Sequence, residues 1–284
     1  MTVLGLTPQE RAAALGEEVA TKRTGIFTSG IVSIGEGHRI ALFFTGVRHA
    51  GENLTQVLER RPKNLPPPIQ MCDGLDHNLP KEFETVLCRC NAHSRRKFVD
   101  VAASFPQEVR FALSTFKEIY KTDAHARKEC LSPAQRLKLH QDESQPRMEA
   151  LHVWMKEQFA QHKVEPNSGL GEALSYMDKT WEGLTRFLHV EGAPLDSNIV
   201  ERALKRAIQH RRNSLFYKTL NGARVGDTFM SLIHTAELNG ENAFDYLVAL
   251  LRHPVQIAAN PAEWMPWNFR MTLQRLSAGP DPPA

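Results

Sequence analysis

Two short runs rich in β-branched and aromatic residues, 25–33 (GIFTSGIVS) and 38–45 (HRIALFFT), flank Gly35, Glu36 and Gly37. Runs of that length and composition, broken by a glycine turn, predict a β-hairpin. Residues 50–60 carry Leu54, Val57 and Leu58 at helical spacing, and the prolines at 66–68 stop any helix before a short apolar strand at 69–72. Residues 84–90 predict a further strand and 92–103 a helix. Hairpin, helix, strand, strand and helix in that order describe a mixed α/β sheet.

From 107 to about 189 the helical period takes over. Leu151, Trp154, Met155 and Phe159 form one apolar stripe and Leu170, Leu174, Met177 and Trp181 another, each bounded by proline or glycine. Both read as core packing of a helical insertion, without chemistry of their own. A strongly basic helix follows within the stretch 193–213, then helices over 223–239 and 244–253, and a tail in which Trp264 and Trp267 are expected to dock. The polar leader before residue 25 predicts no element, and SAGPDPPA from Ser277 on is expected to be disordered. The pattern divides the chain into an N-terminal core part (1–106), a helical insertion (107–190), a core helix (191–213) and a C-terminal helical extension (214–284). No internal repeat is present.

Composition narrows the class: 42% hydrophobic and 24% charged residues over 284 positions are those of an ordinary globular protein. The longest apolar runs, 40–44 and 246–251, are far too short to span a bilayer, which excludes a helical membrane protein. Cys72, Cys88, Cys90 and Cys130, with no secretion pattern at the start, are read as reduced thiols in a cytoplasm. Net charge is only +3, yet Arg202, Lys205, Arg206, Arg211, Arg212 and Lys218 crowd one segment and Arg95, Arg96 and Lys97 another. Clustered cations on a near-neutral chain suit a local polyanion partner, although a solvated helix face has the same appearance.

Two carboxylates stand out. Asp73 follows an apolar strand at once and precedes Gly74, a place where functional groups of α/β sheets gather and where plain turn residues also occur. Glu201 opens the basic helix at the border of the apolar face formed by Ile199, Val200, Ala203, Leu204, Ala207 and Ile208. Asn198 can cap that helix with Glu201 in a capping box, and Glu201 also faces Lys205 one turn on. A glutamate at such a margin can equally point into a cleft. Cys90 and His93 have metal-ligand spacing with Cys88 nearby, but a closed zinc site needs four ligands and no second pair accompanies them, which argues against structural zinc. Two carboxylates framed by arginines and lysines suit divalent ions acting on a phosphodiester.

Six runs carry a resemblance: RTGIFTSG (23–30), PPIQMCDG (67–74), CNAHSRRKF (90–98), PLDSNIVERALK (194–205), FYKTLNGARVG (216–226) and NPAEWMPW (260–267). Together they resemble the bacterial insertion-sequence-66 family of DDE transposases across nearly the whole chain. The resemblance implies an RNase H-like mixed sheet core interrupted by a helical insertion, with a helical C-terminal extension. Asp73 falls on the family's second catalytic aspartate and Glu201 on its catalytic glutamate, and both would ligate Mg²⁺ or Mn²⁺. Cys90 and His93 fall on a Cys-x-x-His signature at the site's border. Arg95, Arg96, Lys97, Arg202, Lys205, Arg206, Arg211 and Arg212 are expected to contact DNA, either transposon ends or target. The implied reaction is hydrolysis of a phosphodiester at each element end, then attack of the freed 3′ hydroxyl on target DNA.

The family's first catalytic aspartate lies upstream of where residues 1–4 align, and no aspartate precedes Asp73 in this chain. The resemblance therefore implies an N-terminally truncated member that holds two of three acids and is inactive alone. Three readings follow: a transposase-family enzyme, a non-catalytic DNA-binding remnant that competes with an intact transposase, and a helical interaction protein in which Glu201 is only a cap. Self-association is left open.

Overall fold

A computed structural model describes residues 26–35, 37–213, 217 and 219–278, the side chain of Arg211 excepted. It is a mixed α/β structure. The expectations for the leader, for Lys218 and for disorder beyond Ala278 fall outside the described residues. Among the described residues, those up to Gln56 and from Ile199 onward form one compact unit, and Val57–Asn198 form the other.

In the first unit the predicted hairpin forms from β1 (Phe27–Gly35) and β2 (His38–Gly46), antiparallel in a register running from Phe27 opposite Gly46 to Gly35 opposite His38. Gly37 sits in the connection at φ +81°, a conformation that a side chain would resist. Helix α1 (Ala50–Leu58) follows. After the second unit come α8 (Asn198–Asn213), α9 (Leu220–Leu238), α10 (Ala243–Arg252), α11 (Pro254–Ala259) and α12 (Phe269–Ala278). Ser277 and Ala278, read from sequence as tail, close the last of these helices. Small residues let α8 approach the hairpin: Ala203 and Ala207 are buried with Ala41, Phe43 and Met230 in one apolar cluster.

The outer edge of β2 is closed by side chains of α9. In an antiparallel pair every second residue turns its backbone groups away from the partner strand, and on β2 these are Arg39, Ala41, Phe43 and Thr45. Their N–H groups donate to Asn239 Oδ1 (3.1 Å), Thr235 Oγ1 (3.1 Å), Ser231 Oγ (3.0 Å) and Asp227 Oδ2 (2.5 Å). The acceptors recur every fourth residue of a helix, about 6 Å, against two residues of a strand, about 6.6 Å, so rung and helix turn stay in step. Thr235 and Asn239 also donate back to the carbonyls of Ala41 and Arg39. Edge groups that would otherwise invite another strand are thereby satisfied.

The C-terminal tail docks as the sequence predicts. Trp264 is buried, its carbonyl accepts the Tyr246 hydroxyl at 3.0 Å, and Trp267 stacks on His38 with centroids 4.2 Å apart.

In the second unit β3 (Ile69–Cys72) runs parallel to β4 (Val86–Arg89), pairing Ile69 with Val86 and Cys72 with Arg89. Helices α2 (Asn91–Asp100), α3 (Pro106–Lys128), α4 (Pro133–Glu143), α5 (Gln145–Ala160), α6 (Gly169–Lys179) and α7 (Trp181–Thr185) follow in the same unit. Both predicted stripes are core: Leu151, Met155, Leu170, Leu174 and Met177 are at most 1% exposed. Cys88 of β4 and Phe98 of α2 belong to the same apolar cluster, so the helical segment and the parallel strands share one core. Helix α4 starts on a full capping box between Ser132 and Gln135 with Pro133 at its first position. Among the described residues the strands form two two-stranded sheets, one in each unit, and no helix is long and apolar enough to cross a membrane.

Candidate functional site

Asp73 stands at the carboxyl end of β3, where the sequence places it. Its Oδ1 accepts the Leu75 N–H at 3.0 Å and the Asn78 side-chain amide at 2.5 Å, an Asx-type turn that fixes the carboxylate's rotamer. Among the described residues no hydrogen bond engages Oδ2. The turn is lashed to β3, because Gln70 Nε2 donates to the Asn78 carbonyl at 2.7 Å and Thr85 Oγ1 donates to Gln70 Oε1 at 2.9 Å. Beneath it lies Arg89, whose side chain is only 10% exposed. One guanidinium nitrogen donates to the Asp73 carbonyl and, at 3.5 Å, to Cys72 Sγ. Asp76 lies 3.9 Å from Arg89 but is 92% exposed, so that pair adds little. Gly74 leaves room for Tyr176: a Cβ there would lie 2.7 Å from the Tyr176 hydroxyl.

Arg89, Asn78 and Tyr176 were not singled out by sequence. The available signal was Arg89 itself, one cation in the otherwise apolar run VLCRC (86–90).

Cys90 is fully buried at the start of α2 and its Sγ accepts the Ser197 N–H at 3.3 Å. His93 is half-buried one turn on. Burial pushes the Cys72 thiol up, against the lowering effect of Arg89, and pushes the Cys88 thiol to about 12. Both remain protonated at neutral pH and are poor nucleophiles and poor soft-metal ligands in that form. Arg95, Arg96 and Lys97 lie exposed on α2, with Lys97 Nζ 4.6 Å from the centroid of the Tyr176 ring. The structure thus gathers Asp73 with Arg89, Asn78 and Tyr176, and sets the predicted cations of α2 on the same unit.

Glu201 belongs to the other unit. It lies in the first turn of α8, half-buried beside the buried Ala203. Asn198 is the first helical residue, and both its backbone N–H and its side-chain amide donate to Asp196. Arg202, Lys205, Arg206 and Arg212 are exposed along the helix, and Arg206 is bonded to Glu237 of α9. The donors Asp73 and Glu201 offer are carboxylate oxygens, the kind Mg²⁺ and Mn²⁺ take, and an Asp73 oxygen not engaged by neighbours fits that use.

The sequence profile described as Transposase IS66 family matches residues 31–225, a span that contains Asp73, the Cys90 and His93 pair and Glu201. Two uncharacterized proteins of Sinorhizobium fredii, y4qI and y4jD, are similar to the chain: 34% identical over 192 residues and 31% over 189. Those alignments cover 66% and 65% of this chain but 35% and 36% of the relatives. The chain therefore spans about a third of the length of the curated relatives it matches. No solved structure matches it.

Proposed function

The chain belongs to the IS66 family of transposases, and on that premise we propose that it is part of the catalytic region of an insertion-sequence transposase built on an RNase H-like core. Asp73 and Glu201 would be two of the carboxylates that hold Mg²⁺ or Mn²⁺. Such ions, when bound, activate the attacking oxygen and stabilise the leaving oxygen of a phosphodiester displacement. The chain's own residues orient and bind. Asn78 and Arg89 hold the Asp73 turn, which leaves one carboxylate oxygen for a cation, and Arg95, Arg96, Lys97, Lys205 and Arg212 would engage backbone phosphates. In the reaction water breaks a phosphodiester at the element end and leaves a 3′ hydroxyl, which then exchanges one P–O bond for another in the target.

The observation that supports this reading most is the Asp73 carboxylate, locked through one oxygen at a strand's carboxyl end inside the family span. The family pattern uses three carboxylates, and no aspartate precedes Asp73 in the 284 residues. For these residues by themselves we propose salt-dependent DNA binding without cleavage. A binding titration across salt concentrations, run beside a Mg²⁺-dependent cleavage and strand-transfer assay on element-end DNA, tests both halves. Binding that ignores salt removes the DNA-contact assignment, and robust product from this polypeptide removes the claim that it is inactive alone.

A further inference from the structure

Tyr176 of α6 reaches the Asp73 turn from the helical segment, and neither the core nor the turn uses its hydroxyl. Its helix neighbours Ala173, Leu174 and Met177 are buried in the core, whereas Tyr176 is half-buried. The hydroxyl stands directly over Gly74: a Cβ there would lie 2.7 Å from the oxygen and 2.8 Å from a ring carbon. Gly74 has no positive φ, so what glycine supplies at this position is space and not backbone freedom. Among the described residues the hydroxyl makes no hydrogen bond. Burial pushes the phenol's pKa up, with Arg89 acting against the rise and Asp73 with it, so at neutral pH the group is an uncharged donor.

The ring has a second neighbour in the same unit. Lys97 of α2 is exposed and sets its Nζ 4.6 Å from the ring centroid, a cation–π contact that holds the ammonium beside the tyrosine. Among the described residues Lys97 has no carboxylate partner, and its charge stays available to an anion. Arg95 and Arg96, on the same helix, have no such contact among the described residues.

A tyrosine that only filled the margin of the core would serve equally well as phenylalanine and would need no glycine opposite its oxygen. A carboxylate such as Asp73 repels a phosphodiester, and an O–H donor with an ammonium at its side supplies the missing attraction.

We propose that Tyr176 is a substrate-contacting residue of the Asp73 site: its hydroxyl donates to a non-bridging oxygen of a DNA phosphodiester, Lys97 on its ring balances the charge of that phosphate, and Gly74 makes room for the hydroxyl. This rests on the reading of Asp73 as part of a phosphodiester site. The helical segment, whose stripe through Leu174 and Met177 is core packing, then also carries a DNA contact on the flank of that stripe.

The test uses the purified 284-residue chain and its Tyr176→Phe, Gly74→Ala and Lys97→Met variants, with the Gly74→Ala/Tyr176→Phe double variant. Each is titrated with two fluorescent DNA duplexes of unrelated sequence across a salt series. Tyr176→Phe removes one donor to a charged oxygen and is expected to weaken binding roughly tenfold on both duplexes, with the salt slope and the melting temperature unchanged. Lys97→Met should weaken binding and also reduce the salt slope by about one. Gly74→Ala displaces the hydroxyl without removing it, so it should weaken binding as much as Tyr176→Phe, and the double variant should lose no more. Equal affinity of Tyr176→Phe and wild type, a loss confined to one duplex, or losses that add in the double variant overturns the proposal. A wild-type chain that binds neither duplex removes the DNA-binding reading as a whole and this contact with it, whereas wild-type binding that Tyr176→Phe leaves intact removes the tyrosine's part alone.

Discussion

Thr235 offers the sharpest test of how α9 closes the edge of β2. Its hydroxyl accepts the Ala41 N–H at 3.1 Å and donates to the Ala41 carbonyl at 3.2 Å, with Thr235 4% and Ala41 1% exposed. Thr235→Val keeps the shape and removes the hydroxyl, leaving both backbone groups of Ala41 without partner or water. Each buried group left unsatisfied costs about 1–3 kcal/mol, offset by about 1 kcal/mol because the hydroxyl no longer has to be buried. For the two groups this nets to a loss of about 1–5 kcal/mol, and a value near the lower end, about 2 kcal/mol, already corresponds to roughly 30-fold faster opening. Native-state hydrogen exchange reads this locally, so the two units need not unfold together. The Ala41 amide should exchange roughly 30-fold faster in Thr235→Val, with smaller effects at Phe43 and Arg39, whose acceptors Ser231 and Asn239 remain. Thr235→Ser keeps the hydroxyl and removes one buried methyl, at about 1 kcal/mol. An Ala41 amide equally protected in Thr235→Val and wild type would refute the ladder, as would a Thr235→Ser variant as damaged as Thr235→Val.

Two further outcomes follow from the second unit. Burial raises the Asp123 carboxyl, but His140, Arg136 and Arg127 outweigh it and hold it at about 2, below its ordinary 3.8. That depression contributes about 2 kcal/mol, present in full above roughly pH 4 and lost as pH falls through about 2; urea midpoints measured from pH 5 down to 2.5 should fall more steeply for wild type than for Asp123→Asn. Arg89→Met removes the donor to the Asp73 carbonyl inside a mostly buried site and should cost about 1–3 kcal/mol, with the added loss of protection at the Leu75 and Asn78 amides read by hydrogen exchange.

Periodicity tells which face of an element is buried, not what it is buried against, and the legible and illegible parts of this chain divide along that line. The hairpin, the strand at 69–72 and the stripes through Leu151 and Leu174 depend on local pattern and formed where the pattern put them. The pattern could not say that the stripes share a core with Cys88 and Phe98, because that pairing is set by tertiary contact. Asp227, Ser231, Thr235 and Asn239 escaped for a related reason. Polar residues four apart on a helix look like a solvated face, and they acquire their role only when a strand edge with the matching repeat lies alongside. The same reasoning applies to the candidate site. Asp73 was visible because a carboxylate after an apolar strand is locally anomalous, whereas Asn78 and Arg89 act on it through bonds made five and sixteen residues away. Glu201 remains the harder case. Asn198, the residue sequence assigned to cap its helix, is itself the first helical residue and gives its amide to Asp196. The local pattern ranks neither cap nor cleft for a glutamate three residues on, because the segment before that helix is held by tertiary bonds such as the one from Arg136, 57 residues earlier, to the Ala193 carbonyl.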